Sequence, residues 1–300
     1  MKIACALSIG SAPERYLEAT LTAIAPVVDL LVVNDNAAGS NPNLPILEAS
    51  DIARAGRLRV VRTAFVDFGT MRNDAFSALA ATAKPDWVLW LDADEVHYET
   101  IAGLARHLLP RLGPDYAAVH CYKIHLVGSF RWVSDAARAV CAYRFNPALR
   151  WRGAVHEQLE NVSGKVVVVP HRIAHYGAVL PPAAYATKAR KYAELGQAID
   201  NAYPAPSDAN VENVYARKAK TARRFTGSHP DVAYPTIDRL EREWAEYLAE
   251  ADRLFEGMQT PLDRATNGLR AAVEETRIAL RYVEHPGLWP PRPFPNGSSS

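Results

Sequence analysis

Cysteine is scarce in this chain of 300 residues, with Cys5, Cys121 and Cys141 the only three. Three thiols make no disulfide framework, and none sits in a C-x-x-C pair, so a thiolate zinc site is excluded. A reducing compartment follows, and a cytosolic location is expected. No apolar run approaches the ~18–20 residues that cross a bilayer. Met1 to Gly10 mimics a short signal peptide, but Pro13-Glu14-Arg15 then opens a helix-like pattern, so the segment is expected to be a first strand. Neither sign of charge dominates: 34 Lys plus Arg against 33 Asp plus Glu leaves a formal +1. A general polyanion binder carries a marked basic excess, so the balance argues against that class while leaving room for local patches. No internal repeat is present. The 49% apolar and 22% charged residues are ordinary for a globule that buries a core without staples.

Strand-like and helix-like segments alternate through the first half. Ile3 to Ile9 is a short apolar run, and Tyr16, Leu17, Leu21 and Ile24 fall at helical spacing over Glu14 to Ile24. Val27 to Val33 is a second run, ending at Asn34-Asp35-Asn36. A weak helix is expected over Ile46 to Ala55, a strand over Leu58 to Val61 and a helix over Thr70 to Ala83. Trp87 to Leu91 is unbroken apolar. This alternation predicts an α/β fold with a mostly parallel sheet, helices on both faces and ligands at the carboxyl ends of the strands. Tyr116 to Ile124, Val140 to Phe145 and Val166 to Val169 read as further strands. Beyond Pro181-Pro182 the chain turns helical. Apolar stripes run over Thr236 to Phe255, then through Leu262, Leu269, Val273, Leu280 and Val283. Thr260 is the expected cap of the last helix. The expected organisation is one α/β domain over 1–180, a helical region over 181–285 and a disordered tail over 286–300.

The sharpest signal is Trp87-Val88-Leu89-Trp90-Leu91-Asp92-Ala93-Asp94-Glu95. A buried apolar strand ends abruptly in acids, and side chains at i and i+2 of an extended chain share a face. Asp92 and Asp94 therefore converge, offering hard oxygen ligands to a Mg²⁺ or Mn²⁺ that also holds phosphates. Upstream, Gly69-Thr70-Met71-Arg72-Asn73 opens a helix that Thr70 can cap, with Arg72 in its first turn as a bidentate donor to an anion.

The R-N-x-A run followed by W-V-L-W-L-D-A-D-E resembles the nucleotide-sugar-dependent glycosyltransferases of family 2, which have the GT-A Rossmann-like fold. Trp151-Arg152-Gly153-Ala154-Val155-His156-Glu157 is similar to the W-x-G-x-V-H-E segment of many bacterial members. His175-Tyr176-Gly177 is similar to the H-Y-G that follows it. The resemblance covers about residues 1 to 195 and implies an inverting, metal-dependent transferase of the hexosyltransferase type, using a nucleoside-diphosphate sugar such as a UDP-sugar. By position it implies that Asp92 and Asp94 form the metal motif for Mn²⁺ or Mg²⁺, with Asp92 also facing the nucleotide. Asp35 would contact the base, Ser8 would line the ribose and base pocket, and Arg72 would lie near the diphosphate. Many members carry N-E-x after the first strand, where this chain has Ile9-Gly10-Ser11-Ala12-Pro13-Glu14, so that loop departs from the pattern.

His156-Glu157 is not the H-E-x-x-H of a zinc peptidase, because Glu160 stands where the second His would be. An inverting transfer needs a carboxylate to take the acceptor proton; the family pattern gives that role to Glu157, the alternative being a solvated Glu beside a packing His. His171 and His175 share a face if their segment is extended, and the resemblance favours His175 as a metal ligand. Lys188, Arg190 and Lys191, then Arg217, Lys218, Lys220, Arg223 and Arg224, form a basic helical run that is either a solvated face or a clamp on phosphates. The acceptor is expected to be a hydroxyl of a glycan or small molecule, less readily of a nucleic acid, with no membrane span and with homo-oligomerisation through the C-terminal helices open. Two rivals are weighed. A haloacid-dehalogenase-like phosphatase also uses D-x-D after an apolar strand, but places it near the domain's start, whereas here it follows three strands. A non-catalytic binder of sugar nucleotide or nucleic acid would use the basic helices, with affinity falling steeply with salt.

Overall fold

A computed structural model of the protein describes residues 1–196 and 203–284. The N-terminal part alternates β1 (Ile3–Ile9), α1 (Leu17–Ile24), β2 (Leu30–Asp35), α2 (Leu44–Glu48), α3 (Asp51–Arg54), β3 (Leu58–Arg62), α4 (Phe68–Thr82) and β4 (Trp87–Trp90). It continues through β5 (Glu95–His97), α5 (Ile101–Gly103), β6 (Tyr116–Val127), β7 (Ser129–Arg144), β8 (Arg150–Arg152), β9 (Gln158–Glu160) and β10 (Lys165–Ala178). Then follow α6 (Pro182–Glu194), α7 (Val211–Ala219), β11 (Arg223–Arg224), α8 (Tyr234–Glu243), α9 (Ala245–Met258) and α10 (Pro261–Glu284). The expected tail over 286–300 lies outside the described residues.

The sheet has the order β3-β2-β1-β4-β7-β6-β10-β5, with β11 beside β7. Strands β3, β2, β1 and β4 are parallel. Strand β7 enters antiparallel to both β4 and β6, and β10 runs parallel to β6. Alternation along β1 explains why helices lie on both faces. Ile3, Cys5, Leu7 and Ile9 join Leu17, Leu21 and Ile24 of α1, Leu47 of α2 and Ile52 of α3 in one cluster. Ala4 and Ala6 point the other way, with Val32, Val88 and Trp90, onto Ala75, Phe76 and Leu79 of α4. A strand buried on both faces reads as a continuous apolar run, as these do.

Several local expectations shift for physical reasons. The helix expected from Glu14 starts at Leu17, and the one over Ile46 to Ala55 is two short helices. Ser50 caps the second of these, its Oγ accepting from the Ala53 N–H, so a new helix starts there. Asp67, not Thr70, caps α4: its carboxylate accepts from the Thr70 N–H at 2.6 Å. The long stripe over Thr236 to Phe255 breaks at Trp244 into α8 and α9. The break lets Ile237 and Leu240 reach Tyr16 and Tyr176, while Ala251 and Phe255 pack on Trp132 and Tyr215. Thr260 does cap α10, reciprocally with Asp263. That helix buries Asn267 and Ile278 and leaves Leu262, Leu269, Val273 and Leu280 at 74%, 69%, 42% and 54% exposure, so its apolar stripe faces outward.

Candidate active site

Strand β4 is buried along its whole length and delivers its acids between β1 and β7. Desolvating a carboxylate costs several kcal/mol unless it is paired, and each acid here has a partner. Thr20 of α1 donates to the carbonyls of Ala93 and Glu95, both at 3.1 Å. The Tyr176 N–H donates to the Asp94 carbonyl at 2.9 Å. Glu95, 3% exposed, turns inward to an ion pair with Lys123 of β6, and its other oxygen accepts from the Asp92 N–H at 3.3 Å. The third acid therefore shapes the loop that presents the first two. Lys123 was not singled out from the sequence; the available signal was a lone Lys inside the apolar strand Tyr116 to Ile124.

Asp94 lies against His175 of β10 and Lys188 of α6. Its Oδ1 is 3.4 Å from His175 Nε2, and its Oδ2 accepts from Lys188 Nζ at 3.2 Å. Lys188 also donates to the Gly177 carbonyl at 3.0 Å. A Cβ on Gly177 would stand 2.5 Å from Asp94 Oδ2, 2.7 Å from His175 Nε2 and 2.9 Å from Lys188 Nζ, so glycine leaves open the point on which these groups converge. Asp94 Oδ1 is buried without a hydrogen-bond partner. Burial works to raise the Asp94 pKa, but the Lys188 ammonium outweighs it and holds the carboxyl well below the usual range. An orphaned carboxylate oxygen and an imidazole nitrogen beside a glycine cradle suit a divalent cation. Among the described residues no three His, Cys, Asp or Glu groups close into a complete cage. A cation here must therefore draw further oxygens from a bound ligand, as Mg²⁺ and Mn²⁺ sites do from phosphates.

Arg72 ties the two acidic motifs together. Its guanidinium contacts Asp92 Oδ1 at 3.0 Å and forms an ion pair with Glu157. It also lies against the rings of Trp90 and Trp151, 5.0 Å and 5.1 Å from their centroids, while the two rings contact each other at 5.2 Å. Burial works against the charge, yet Asp92 and Glu157 raise the Arg72 pKa further. The neighbouring Asn73 brackets the Trp151 backbone, accepting from its N–H and donating to its carbonyl, both at 2.8 Å. Gly69 is needed at the same junction, because a Cβ there would lie 2.5 Å from the Gly153 carbonyl oxygen. The R-N and V-H-E segments are thus one packed unit. Adjacent residues diverge as expected: His156 adopts a φ of 52° and is exposed, while Glu157 turns in to Arg72.

The remaining sequence candidates are distributed unevenly. Ser8, at the end of β1, has a buried Oγ with no partner. Asp35 is fully buried and already engaged, by Asn41 Nδ2 at 2.6 Å, the Ala37 N–H at 3.0 Å and Arg62 Nε at 3.0 Å. Burial opposes its ionisation, but these bonds hold its pKa below the ordinary value. Glu14, in the loop that departs from the family pattern, is pushed up to about 7 by burial and by Asp94. Within the basic run, Lys188 contacts an acid of the site. Arg223 and Arg224 sit on a strand rather than a helix, paired with Glu274 at 2.5 Å and Glu256 at 2.8 Å.

His171 leaves this neighbourhood through a register shift in β10 between Val168 and Arg172. It stacks on His97, with Nε2 2.6 Å from His97 Nδ1, and its own Nδ1 is 2.7 Å from Thr100 Oγ1. Burial pushes His97 down to about 3 and His171 well below the usual value. Unfolded histidines take up protons near pH 6.5 while these two do not, so their contribution is full above that pH and lost as pH falls toward 3. From pH 7.5 to 5.5, His97 alone is expected to cost on the order of 1 kcal/mol of stability, with His171 adding in the same direction. Urea unfolding at the two pH values checks this. The His97→Phe variant should lose less on acidification, and an unchanged loss would refute the assignment.

No family model and no curated protein matches the sequence. Solved structures do match in backbone. The structure of GalNAc-T7 with UDP, GalNAc and Mn²⁺ is 15% identical, covers 58% of this chain and 44% of that one, and gives a TM-score of 0.40. Glucosyl-3-phosphoglycerate synthase from Mycobacterium tuberculosis, in complex with Mn²⁺, UDP and phosphoglyceric acid, is 21% identical over 41% of this chain and 43% of that one, with a TM-score of 0.28. The mannosyltransferase PcManGT from Pyrobaculum calidifontis, in complex with GDP-Man and Mn²⁺, is 14% identical over 96% of this chain and 84% of that one, at 0.41. The chain spans less than half the length of the first two. Likeness at this distance assigns no residue a role.

Proposed function

We propose that the protein is an inverting, metal-dependent glycosyltransferase of the family 2 type, moving a hexose from a nucleoside-diphosphate sugar, with UDP as the favoured nucleotide, to a hydroxyl acceptor. One observation carries this: the open point before Gly177, where Asp94, His175 and Lys188 converge, adjoins the Asp92–Arg72–Glu157 chain at the carboxyl end of β4. A cation–diphosphate subsite and a carboxylate able to take a proton then lie side by side. Asp94 and His175 would hold Mn²⁺ or Mg²⁺, with Asp92 facing it, and the cation supplies neutralising charge to the departing diphosphate. Lys188 adds a fixed positive charge to the same leaving group, and Arg72 a second. Glu157 takes the acceptor's proton as the hydroxyl oxygen attacks the anomeric carbon from the face opposite the diphosphate. The Ser8 hydroxyl, orphaned at the end of β1, is available to the ribose. Residues 1–180 would carry these steps together with Lys188 of α6, and the later helices would support the site.

Product analysis tests the proposal. With Mn²⁺ and a panel of UDP- and GDP-sugars, free nucleoside diphosphate is expected from one donor, slowly where water replaces the acceptor. Phosphate released from p-nitrophenyl phosphate, with every sugar nucleotide left intact, would instead support the phosphatase reading.

A further inference from the structure

His125 of β6 and His175 of β10 are register partners in a parallel strand pair. Their rings meet edge to face, with centroids 4.9 Å apart and planes at 85°, and their Nδ1 atoms are 2.8 Å apart. A neutral imidazole has one N–H and one bare nitrogen, so a contact of this length needs a proton on one Nδ1 and a lone pair on the other. Two arrangements satisfy that. If His175 donates, its Nε2 is bare and faces the open point beside Asp94. If His175 accepts, its Nε2 carries the proton and points it at Asp94 Oδ1. The second arrangement would close a hydrogen bond to Asp94, yet Oδ1 has no hydrogen-bond partner and stands 3.4 Å from Nε2.

We propose that His125 is a positioning residue: it accepts the His175 Nδ1 proton and so holds His175 in the tautomer whose Nε2 is open to a divalent cation beside Asp94. This role rests on the cation–diphosphate assignment of the site. His125 itself touches neither cation nor substrate. Its neighbours on β6, Ile124 and Leu126, are buried apolar residues, so the strand carries a polar ring where it borders the site and apolar groups on either side. Groups that orient a metal-binding histidine through its second nitrogen typically change metal affinity about 10- to 100-fold when removed.

The test compares His125→Leu, which keeps bulk and removes the acceptor, with His125→Asn, whose amide oxygen can stand near the Nδ1 position. Binding of Mn²⁺ in the presence of UDP is followed by electron paramagnetic resonance of the free ion. His125→Leu is expected to weaken Mn²⁺ about 10- to 100-fold, and His125→Asn to stay within about threefold of wild type, a difference that a packing role would not produce. Equal affinity in His125→Leu and wild type, or equal losses in both variants, would overturn the proposal. Long-range ¹⁵N–¹H spectra of the metal-free wild type read the His175 tautomer without any variant. A proton on Nδ1 is expected, and a proton on Nε2 would overturn it. Should wild type fail to bind Mn²⁺, or His175→Ala bind it as tightly as wild type, the cation site itself is wrong, a failure distinct from loss of the His125 effect alone.

Discussion

Glu157→Gln is expected to lower turnover by about 10²–10⁴-fold while leaving nucleotide and Mn²⁺ affinity within a few-fold of wild type. The substitution keeps the shape of the side chain, and its amide oxygen can still accept from Arg72. What it removes is the capacity to take a proton. Arg72 keeps its contact with Asp92 at 3.0 Å and its place against the Trp90 and Trp151 rings, so the neighbouring subsite should survive. Single-turnover transfer, measured beside nucleotide affinity, separates the two effects. Turnover at the wild-type rate would remove Glu157 from the chemistry and leave it as an anchor for Arg72. A matched loss of binding would make it structural.

Asp94→Ala carries the second large expected effect, loss of all metal-dependent nucleotide binding. Asp94 supplies both the orphaned oxygen and the anion that Lys188 and His175 face, so its removal leaves the Lys188 ammonium without a counter-charge. A ligand at a hundred times its dissociation constant stabilises a protein by about 2.7 kcal/mol, and that Mn²⁺-dependent increment should vanish. The metal-free variant is also expected to be less stable. Lys188 is 37% exposed, so its stranded charge costs less than the about 3–5 kcal/mol of a fully buried broken pair. A variant that still gains stability from nucleotide only when Mn²⁺ is present would place the cation elsewhere.

Strands β1, β2 and β4 were legible because an apolar run buried on both faces leaves an unambiguous mark, and Trp87 to Leu91 also announced where the acids would emerge; of the long strands β7 and β10 only the apolar stretches Val140 to Phe145 and Val166 to Val169 stood out. The R-N and V-H-E segments were legible as motifs but not as a unit: Asn73 and Trp151 meet across 78 residues, and only folding shows that one brackets the other's backbone. Lys123, His125 and Lys188 were harder still. Lys123 and His125 are polar residues on one strand whose partners come from sheet order, and Lys188 is one member of a basic run that does not show which of them meets an acid. His171 and His175 looked equivalent by spacing, and the register shift in β10 sends one to His97 and the other to Asp94. Propensity carried the caps only where the side chain had no competitor. Thr260 serves as expected, whereas Asp67 precedes Thr70 and claims its N–H.

The most direct measurement is the thermal stabilisation of the wild-type protein by UDP, GDP, CMP and dTDP, each with and without Mn²⁺. A glycosyltransferase built around Asp94 and His175 predicts a clear upward shift with one nucleoside diphosphate, dependent on Mn²⁺. No shift with any nucleotide, or a shift of the same size without the metal, would contradict a cation–diphosphate site at the end of β4.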